Sequence, residues 1–469
     1  MMDKSVSRVD KAYKVIRYIR YFIVVFVLFV IIVVTFLKRK EMEAEYNVAS
    51  SMLSSGNYDD AYQTFSEIDN YFDSEQKAKL ALYEKALKFK EEKKYQEAAE
   101  IFNQLGDYND SREQYSFCTE ALNKFYERIY NEAKENYDEG NYEEALKSFS
   151  ILQEYNYSDS GEYVIQCQDR ITRLSMATTL LAWGRYSVGI GKDSIYIAGD
   201  HKNVNFSEWG DVISVAGGES ALIGLKIDGT VIISNWTEDE QLFDECKYWK
   251  DIVDIAAGDH YVIALDKNGK VFGKGVENKG FLNFEEWKNY NIVDIASGWC
   301  HVAGVDDNGK VHILGNGANE QEQQIKSSAW PKIIKVSAGG GNNAQTGHTV
   351  GLGADGKIYA VGNNSFGQCD VTEIADFTFK DVVAGDRHTV GLLANGSVVT
   401  IGHDGTIDYV NQNPDEKINN WKKVVAISAG SDFSLALKVD GGVYAAGAEA
   451  QGQLNARNWE DILVYSTMK

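Results

Sequence analysis

Residues 384–398 read AGDRHTVGLLANGSV, and much of this segment recurs elsewhere in the chain. The related copies are AGDHYVIALDKNGKV at 257–271, SGWCHVAGVDDNGKV at 297–311 and AGSDFSLALKVDGGV at 429–443. Taken alone, the segment offers His388 as a candidate general base. The recurrence instead makes His388 one position of a structural unit, because repeats of this length are typical of propellers and solenoids.

Seven copies of the unit align on a turn dipeptide, which is Asp-Ser in the first copy and Asp-Gly or Asn-Gly in the other six. The six glycines, 40 to 47 residues apart, are Gly229, Gly269, Gly309, Gly356, Gly396 and Gly441. Such dipeptides between apolar runs are the strongest local signal of a hairpin turn in which both central residues have positive φ. We therefore expect seven β-hairpins.

The run before each turn has two aliphatic residues with Gly or Ala between them, as in Val390, Gly391 and Leu392. This alternation predicts a strand buried on one face. The tiny residue indicates crowding on the other face, which we expect strands converging on a central axis to supply. Most copies also open with a tryptophan, replaced once by Phe379.

The two ends of the repeat region complement each other. The first hairpin, at 184–199, has no Trp-led strand before it, and the last Trp-led strand, WEDILVY at 459–465, has no hairpin after it. A blade that takes strands from both ends leaves no free sheet edge. Residues 177–469 are therefore predicted to form a closed seven-bladed β-propeller, with four strands in each blade of ~40 residues.

The repeat resembles that of the regulator of chromosome condensation family. The family's tail, Gly-x-Asn-x-x-Gly-Gln, stands at 362–368 and, with Glu for Asn, at 447–453, but it is missing from the first two copies. The resemblance implies a binding propeller. It also implies two alternatives: an enzyme inhibitor, as in a secreted β-lactamase inhibitor with this repeat, and nucleotide exchange on a small GTPase or chromatin binding.

The position of His388 varies too much for a shared catalytic role. The equivalent residues are Tyr186, Ala221, Tyr261, His301, His348 and Phe433. A general base cannot be exchanged for Phe or Ala, so we predict a structural histidine. The other histidines lack metal-ligand or paired-carboxylate spacing, and we expect no carboxylate pair along the axis. We predict no catalytic residue, cofactor or metal site, and a glycan-acting enzyme is a further alternative.

The differences between copies indicate where a partner binds. The fifth copy has an insertion, GGGNNAQTG at 339–347, and the loops at 236–246 and 316–324 also vary. Variable loops of repeat proteins lie on one rim, where partners bind. The candidate residues are Gly340, Asn342, Asn343, Gln345, Trp236, Glu238 and Asp239. The partner predicted is a protein or a surface glycan.

The N-terminal region predicts a membrane anchor. Residues 21–37, YFIVVFVLFVIIVVTFL, follow a basic segment at 1–20 and would span ~26 Å as a helix. The run ends in Lys-Arg-Lys without a small-residue cleavage pattern, which favours a single-pass transmembrane helix over the alternative of a cleaved secretory signal. Six Lys/Arg precede the run and three follow it, so the N-terminus is expected in the cytoplasm and the rest at a bacterial cell surface.

Residues 41–176 predict an α-helical spacer, so that the chain combines α-helical and all-β domains. Tyr, Ala and Phe recur at spacings of three and four, as in Tyr58, Ala61 and Phe65, and so share one helical face. Asp-Ser at 73–74, 110–111 and 159–160 predicts N-caps of following helices. The units resemble tetratricopeptide repeats, with irregular spacing. A peptide-binding groove and a plain spacer are both open readings.

The charge excludes one class of partner. The net charge is −22, and residues 41–469 alone carry −29. Such a surface repels phosphate backbones, so neither nucleic-acid binding nor a chromatin role is expected. The five cysteines are scattered and odd in number, which predicts no disulfide framework. The sequence as a whole predicts a membrane-anchored, non-catalytic binding or scaffold protein.

Overall fold

The structure is a computed structural model, in which the chain forms two compact units, Met1–Val164 and Ile165–Lys469. It describes residues 3–68, 70–200, 204–239, 241–276, 282–315, 320–340, 347–403 and 417–465.

The first unit is helical. Its helices are α1 (Asp3–Ser54), α2 (Tyr58–Glu67), α3 (Ser74–Glu91), α4 (Tyr95–Leu105), α5 (Ser111–Asp138), α6 (Tyr142–Glu154) and α7 (Ser160–Met176), the last of which continues into the second unit. Within α1, the part from Tyr13 onward is long and apolar enough to cross a membrane. The apolar side chains of residues 21–37 are exposed, as in a helix that meets lipid or a signal sequence.

The repeated motif of the helical unit supplies its core. The Ala and Phe residues of all three copies are completely buried: Ala61, Phe65, Ala98, Phe102, Ala145 and Phe149. The predicted packing of Tyr, Ala and Phe on one helical face is confirmed for the Ala and Phe residues, whereas Tyr58, Tyr95 and Tyr142 are half-buried. Cys118 and Cys167 are also fully buried, and burial raises the pKa of both thiols, that of Cys167 to about 11. Both cysteines therefore act as small core residues.

The Asp-Ser pairs mark helix starts but do not cap them as predicted. Helices α3, α5 and α7 begin at the serines, yet the aspartates before α3 and α5 make no capping hydrogen bond to the helix backbone. The carboxylates accept tyrosine hydroxyls from the preceding hairpin instead. The pairs are Tyr46 with Asp73, Tyr83 with Asp110, and Tyr130 with Asp159.

The second unit contains seven antiparallel sheets of three strands each. In chain order they are β1 (Leu180–Trp183), β2 (Tyr186–Ile190) and β3 (Ile195–Gly199); β4 (Val212–Gly217), β5 (Ala221–Lys226) and β6 (Val231–Asn235); β7 (Ile252–Ala257), β8 (Tyr261–Asp266) and β9 (Val271–Gly275); β10 (Ile292–Ser297), β11 (His301–Asp306) and β12 (Val311–Gly315); β13 (Ile333–Gly339), β14 (His348–Gly353) and β15 (Ile358–Gly362); β16 (Phe379–Ala384), β17 (His388–Leu393) and β18 (Val398–Gly402); β19 (Val424–Ala429), β20 (Phe433–Lys438) and β21 (Val443–Gly447). One helix, α8 (Glu320–Ser327), lies between β12 and β13.

The prediction of four strands per blade is wrong for the described residues. Where a fourth strand was expected, several connections between sheets form short 3₁₀ helices, such as Asp244–Tyr248 and Glu286–Asn289. The tryptophans close these turns. The amide of Trp249 donates to the carbonyl of Cys246, and that of Trp287 to Phe284, each at 3.0 Å. A chain bonded to itself in this way has no amide left there for a ladder with the third strand.

The hairpin turns differ from the predicted two-residue type. In the six Gly-containing turns only the glycine has positive φ, between 73° and 86°. The loops have three residues: Gly229 donates its amide to the carbonyl of Lys226, and the Lys226 amide donates to Thr230, both at 2.9 Å. This is a type I turn followed by a left-handed glycine. The aspartate stays in an ordinary conformation because its carboxylate accepts the Thr230 amide at 2.9 Å.

The middle strand of each sheet has a small residue because an aromatic ring packs against it, not because strands crowd it at the central axis. A Cβ added to Gly224 would lie 2.7 Å from the Trp209 ring, and one added to Gly304 would lie 2.8 Å from Trp287. Phe379 takes the same place against Gly391, as predicted from its substitution for Trp. The predicted crowding by strands at the axis is therefore wrong, and each sheet packs an aromatic ring against its own middle strand.

Neighbouring sheets are joined by one recurring hydrogen bond. The first residue of a sheet donates its amide to the turn-glycine carbonyl of the sheet before it. The distance is 3.0 Å from Ile252 to Gly229 and from Ile333 to Gly309. The last member of the series comes from the C-terminal segment, where Ile462 donates to Gly441 at 3.1 Å. The hairpin end of each sheet therefore also anchors the next one.

The C-terminal segment lies beside the first hairpin, as predicted. It does not, however, pair with the hairpin as a full strand. Ile462 forms a single bridge with Gly191, and Leu463 donates its amide to Ile190 at 2.8 Å. The strand paired along β2 is β1, which directly precedes it in the chain. The first and last sheets also meet, since the Ala182 amide donates to the Ser428 hydroxyl at 2.8 Å.

Alternating strand directions give the sheets two distinct ends. The hairpin face carries the turns between second and third strands. The groove face carries the connections between first and second strands and those that leave third strands. Helix α7 joins the hairpin face through Arg173, which donates to the carbonyls of Ile252 at 2.9 Å and Ile227 at 3.2 Å and is only 3% exposed.

Candidate functional site

The position of His388 links neighbouring sheets. The imidazole Nε2 of His388 hydrogen-bonds the Ser434 hydroxyl at 2.8 Å, and that of His348 hydrogen-bonds Thr389 at 3.1 Å. Both histidines are completely buried. The structure thus gives His388 the structural role that the repeat predicts.

Other residues at this position make the same link. Tyr186 and Tyr261 donate their hydroxyls to the carbonyls of Gly218 and Gly298, at 3.0 and 2.8 Å. Burial lowers the pKa of His348 to about 3, and that of the equivalent His301 to about 4. These imidazoles are therefore neutral at pH 7. Each one hydrogen-bonds a single threonine hydroxyl of the neighbouring sheet through Nε2.

A cavity of about 600 Å³ is lined by the first strands of all seven sheets. Four acidic and two basic residues line it: Asp254, Asp294, Asp381, Asp386, Lys335 and Lys380. The expectation of no carboxylate pair along the axis is wrong. The signal was present in the sequence, because Asp254 and Asp294 occupy the same place in DIVDIAAG and NIVDIASG.

The polar groups of this cavity hold neighbouring first strands together. Asp294 accepts the Val336 amide at 2.7 Å, Lys335 donates to Asp381 at 2.6 Å, and the Ser337 hydroxyl accepts the Ala384 amide at 3.0 Å. First strands of adjacent sheets are not paired in a ladder. These side chains therefore supply the hydrogen bonds that a ladder would otherwise provide.

Burial shifts the pKa values of several charged residues that line the cavity. It raises the pKa of Asp294 to about 7 and, together with the nearby Asp294 charge, raises that of Asp254 well above the usual range. Burial lowers the pKa of Lys335, but attraction to Asp381 and Asp294 outweighs it and leaves a net rise. The cavity thus holds the charged ammonium group of Lys335 beside two carboxyl groups, those of Asp254 and Asp294, that retain protons at neutral pH.

Two stacked indoles lie at one end of this cavity. The rings of Trp183 and Trp299 are 5.5 Å apart at an angle of 18°, and they come from the first and fourth sheets. Trp299 also hydrogen-bonds Asp386. Burial raises the pKa of Asp386 to about 6, against opposing hydrogen bonds from Ser431 and Trp299. Trp299 lines both the cavity and a larger groove beyond it.

This groove, of about 1050 Å³, lies on the groove face. Its lining combines aromatic and charged side chains from six of the seven sheets and their connections, and these side chains include Arg185, Asp200, Glu219, Trp236, Phe366 and Arg387. The three variable loops identified from the sequence also start at the groove-face ends of their strands. The end of the sheets that differs most between repeats is therefore the one with the larger recess.

Some charges of the groove are paired and others are not. Arg387 makes a two-pronged ion pair with Asp432, at 2.9 and 2.5 Å, and its guanidinium lies 5.1 Å from the Phe366 ring centre. Within the described ranges, no lysine or arginine is in ion-pair contact with Glu219 or Asp386. The groove therefore has an excess of negative charge.

The predicted rim residues fall in different places. Trp236 lines the groove, with its ring edge-on to Tyr186 at 5.6 Å, and Glu238 and Asp239 follow it as exposed residues. Gly340 is buried and lines the central cavity instead. Asn342, Asn343 and Gln345 lie outside the described residues.

Several groove residues were missed from the sequence. They include Arg185, Glu219 and Arg387, which lie beside the repeat position of His388 or its neighbouring turn and carry no individual signal. Phe366 could have been found from the sequence, because it stands at a variable position of the tail motif. The Gln368 of that motif is buried and donates to Asn363 at 3.1 Å. Among the described residues, no group of three or more His, Cys, Asp or Glu side chains is arranged to hold a metal ion.

The comparisons with known proteins centre on the repeat region. Residues 424–453 match the regulator of chromosome condensation (RCC1) repeat. No curated protein matches the chain in sequence.

Three solved structures are similar to the chain at low identity. Prp20p from Saccharomyces cerevisiae, described with its binding to Gsp1p and histones, is 19% identical over 64% of this chain and 90% of its own, with a TM-score of 0.42. Human WBSCR16 is 12% identical over 57% and 86%, with a TM-score of 0.42. The ectodomain of the receptor kinase CR4 from Physcomitrella patens is 17% identical over 51% and 64%, with a TM-score of 0.39. The match at 424–453 confirms, for that stretch, the repeat recognised from the sequence, and it coincides with the last of the seven three-stranded sheets of the second unit.

Proposed function

We propose that the protein is a membrane-anchored, non-catalytic binding protein that presents a closed seven-bladed propeller on a helical stalk. In this proposal residues 1–20 are cytoplasmic, 21–37 span the plasma membrane, 41–176 form tetratricopeptide-like repeats and 177–469 form the propeller at the cell surface. The exposed apolar part of α1 supports the anchor. The hydrogen bonds of Ile462 and Ala182 support closure, since each joins the two ends of the repeat series.

The observation that carries a binding role is the groove. It is large, it lies where the repeats differ, and its lining mixes aromatic rings with charges. Binding sites typically combine such apolar surface with a few placed polar groups. The helix that joins the sheets, α7, contacts the hairpin face through Arg173 and therefore does not occupy this groove.

The absence of catalysis is supported by what the axial groups already do. Asp294 accepts the Val336 amide of the neighbouring sheet, and Asp381 accepts both the Lys335 ammonium group and the Val382 amide of its own strand. A general acid and base must instead be available to a substrate within hydrogen-bond reach. We therefore interpret the carboxylates of the cavity as structural.

Photo-crosslinking in intact cells tests the binding role. A photoreactive amino acid is placed at Ala450, an exposed residue of the groove lining, and, as a matched control, at the exposed Asn268 on the hairpin face. We expect a discrete crosslinked product from Ala450 and none from Asn268. No product from Ala450, or the same products from both sites, would overturn the proposal.

Protease treatment of intact cells tests the location. A tag after residue 469 should be removed, and a tag before residue 1 should be protected, because the N-terminal side has the larger number of Lys/Arg. The reverse pattern would contradict the proposed orientation.

A further inference from the structure

The groove holds acidic groups that the chain does not neutralise. Glu219 is exposed at the groove wall, and Asp386 lies between Ser431 and Trp299. The two arginines of the lining have acidic neighbours of their own, since Arg387 pairs with Asp432 and Arg185 lies 4.0 Å from Asp200. A ligand that enters the groove therefore meets two carboxylates that form no ion pair with a described lysine or arginine, although the nearby charge of Arg387 opposes the rise in the pKa of Asp386.

Aromatic rings stand beside these carboxylates. Trp236 and Trp299 are half-buried in the lining, and Phe366 is 43% exposed. The guanidinium of Arg387 already lies over the Phe366 ring, so the groove accommodates a cation on an aromatic face. Cations are attracted to such faces, more strongly where water is partly excluded.

The net charge of the protein also favours a cationic ligand. Residues 41–469 have a net charge of −29, which attracts cationic partners and repels anionic ones. A phosphate-bearing or acidic ligand would meet both the unpaired carboxylates and this field. A neutral glycan would use the aromatic rings but gain nothing from the two carboxylates.

We infer that the groove binds a basic segment of a protein partner, with a lysine or arginine side chain placed between Glu219 and Asp386 and against the indoles of Trp236 and Trp299. This inference rests on the proposed binding function and specifies its ligand. The ion pair of Arg387 and Asp432 forms one wall of the site. The carboxylates of Glu219 and Asp386 provide the selectivity for a basic side chain.

Fluorescence anisotropy with the full-length protein in detergent micelles tests the inference. The probe is a fluorescein-labelled peptide, (Gly-Lys-Gly-Arg)₂, compared with its glutamate counterpart and with labelled chitotetraose, all at ~150 mM salt to screen general attraction. We expect binding of the basic peptide alone. The double variant Glu219→Gln, Asp386→Asn should weaken it by about tenfold or more, whereas Glu286→Gln, an exposed acid outside the groove, should leave it unchanged.

The pH dependence provides a second readout. The groups that face Asp386 are Asp432, Arg387, Ser431 and Trp299, and its pKa is about 6. Affinity for the basic peptide should therefore fall as the pH is lowered from 7 to 5, and the Asp386→Asn variant should lose most of this dependence.

The outcomes separate the two proposals. Equal weakening by Glu286→Gln, or no binding of the basic peptide, overturns the inference. Groove-dependent binding of chitotetraose also overturns it and identifies a glycan site. In each of these cases a product crosslinked from Ala450 would leave the proposed binding function standing, and only the loss of that product removes both.

Discussion

The hairpin face of the second unit is regular from sheet to sheet, whereas its groove face is variable. On the hairpin face nearly every sheet repeats the same turn, with a left-handed glycine whose carbonyl accepts the first amide of the next sheet. On the groove face the connections differ in length and charge, and they line a recess with unpaired carboxylates. Repetition therefore builds the scaffold, and variation is concentrated where a ligand can reach it.

The largest loss of stability is expected from the links between sheets. His348→Ala would remove a completely buried side chain and leave the Thr389 hydroxyl without its imidazole partner. We expect a loss of about 3 kcal/mol in the free energy of unfolding, since the cost of a cavity adds to that of a lost buried hydrogen bond, although Thr389 still donates to the Gln368 carbonyl at 2.9 Å. Glu238→Ala on a groove-face loop should change it by less than ~0.5 kcal/mol. Urea denaturation of the two variants measures the difference, and equal values would remove the distinction between the faces.

A matched pair of glycines sharpens the comparison. Gly309 and Gly367 both have positive φ, 83° and 78°. A Cβ on Gly309 of the hairpin face would lie 2.9 Å from the Ile333 amide nitrogen, whereas one on Gly367 of the groove face would meet only Asp370, at 3.2 Å. We expect Gly309→Ala to cost about 2 kcal/mol and Gly367→Ala about 1 kcal/mol. Thermal denaturation gives the order, and a larger cost at Gly367 would contradict the assignment of the scaffold role.

The smallest effect is expected at the cavity, and it depends on pH. The pKa of Asp294 is about 7 in the folded state, above the usual value of about 3.9. The folded state therefore binds more protons than the unfolded state between these values, and stability falls as the pH rises through this window. Asp294→Asn should raise the melting temperature at pH 8 by ~2 °C and leave it unchanged at pH 3. A rise at both pH values would show that charge is not the cause.

The buried histidines that link the sheets give stability the opposite pH dependence. The pKa values of His301 and His348 lie near 4 and 3, below the usual value of about 6.5. The unfolded state binds more protons in that range, so these groups reduce stability as the pH falls below about 6.5. The pH profile of the wild type therefore reports the balance between the two sets of buried groups.

The repeat explains which features could be predicted from the sequence. The hairpins, the buried aliphatic residues and the structural role of His388 follow from comparing positions between copies. The ring that packs on Gly224 could not be assigned this way, because the sequence shows that space is limited but not which side chain limits it. The Asp254 and Asp294 pair could have been found, since both occupy one repeat position.

The groove could not be predicted residue by residue. Glu219, Phe366 and Asp432 are brought together by the arrangement of separate sheets, and no spacing along the chain encodes their proximity. The ion pair between Arg387 and Asp432 depends equally on two sheets lying side by side. The sequence predicts that the variable loops share one rim, and the described strands that precede these loops all end at the groove face.

The stacked indoles of Trp183 and Trp299 have an optical consequence. They belong to the first and fourth sheets, so their separation reports on the shape of the whole assembly of sheets rather than on one loop. Two indoles at this distance couple electronically and give a paired signal in near-ultraviolet circular dichroism. Since Trp299 also lines the groove, the protein contains its own spectroscopic probe for the arrival of a ligand.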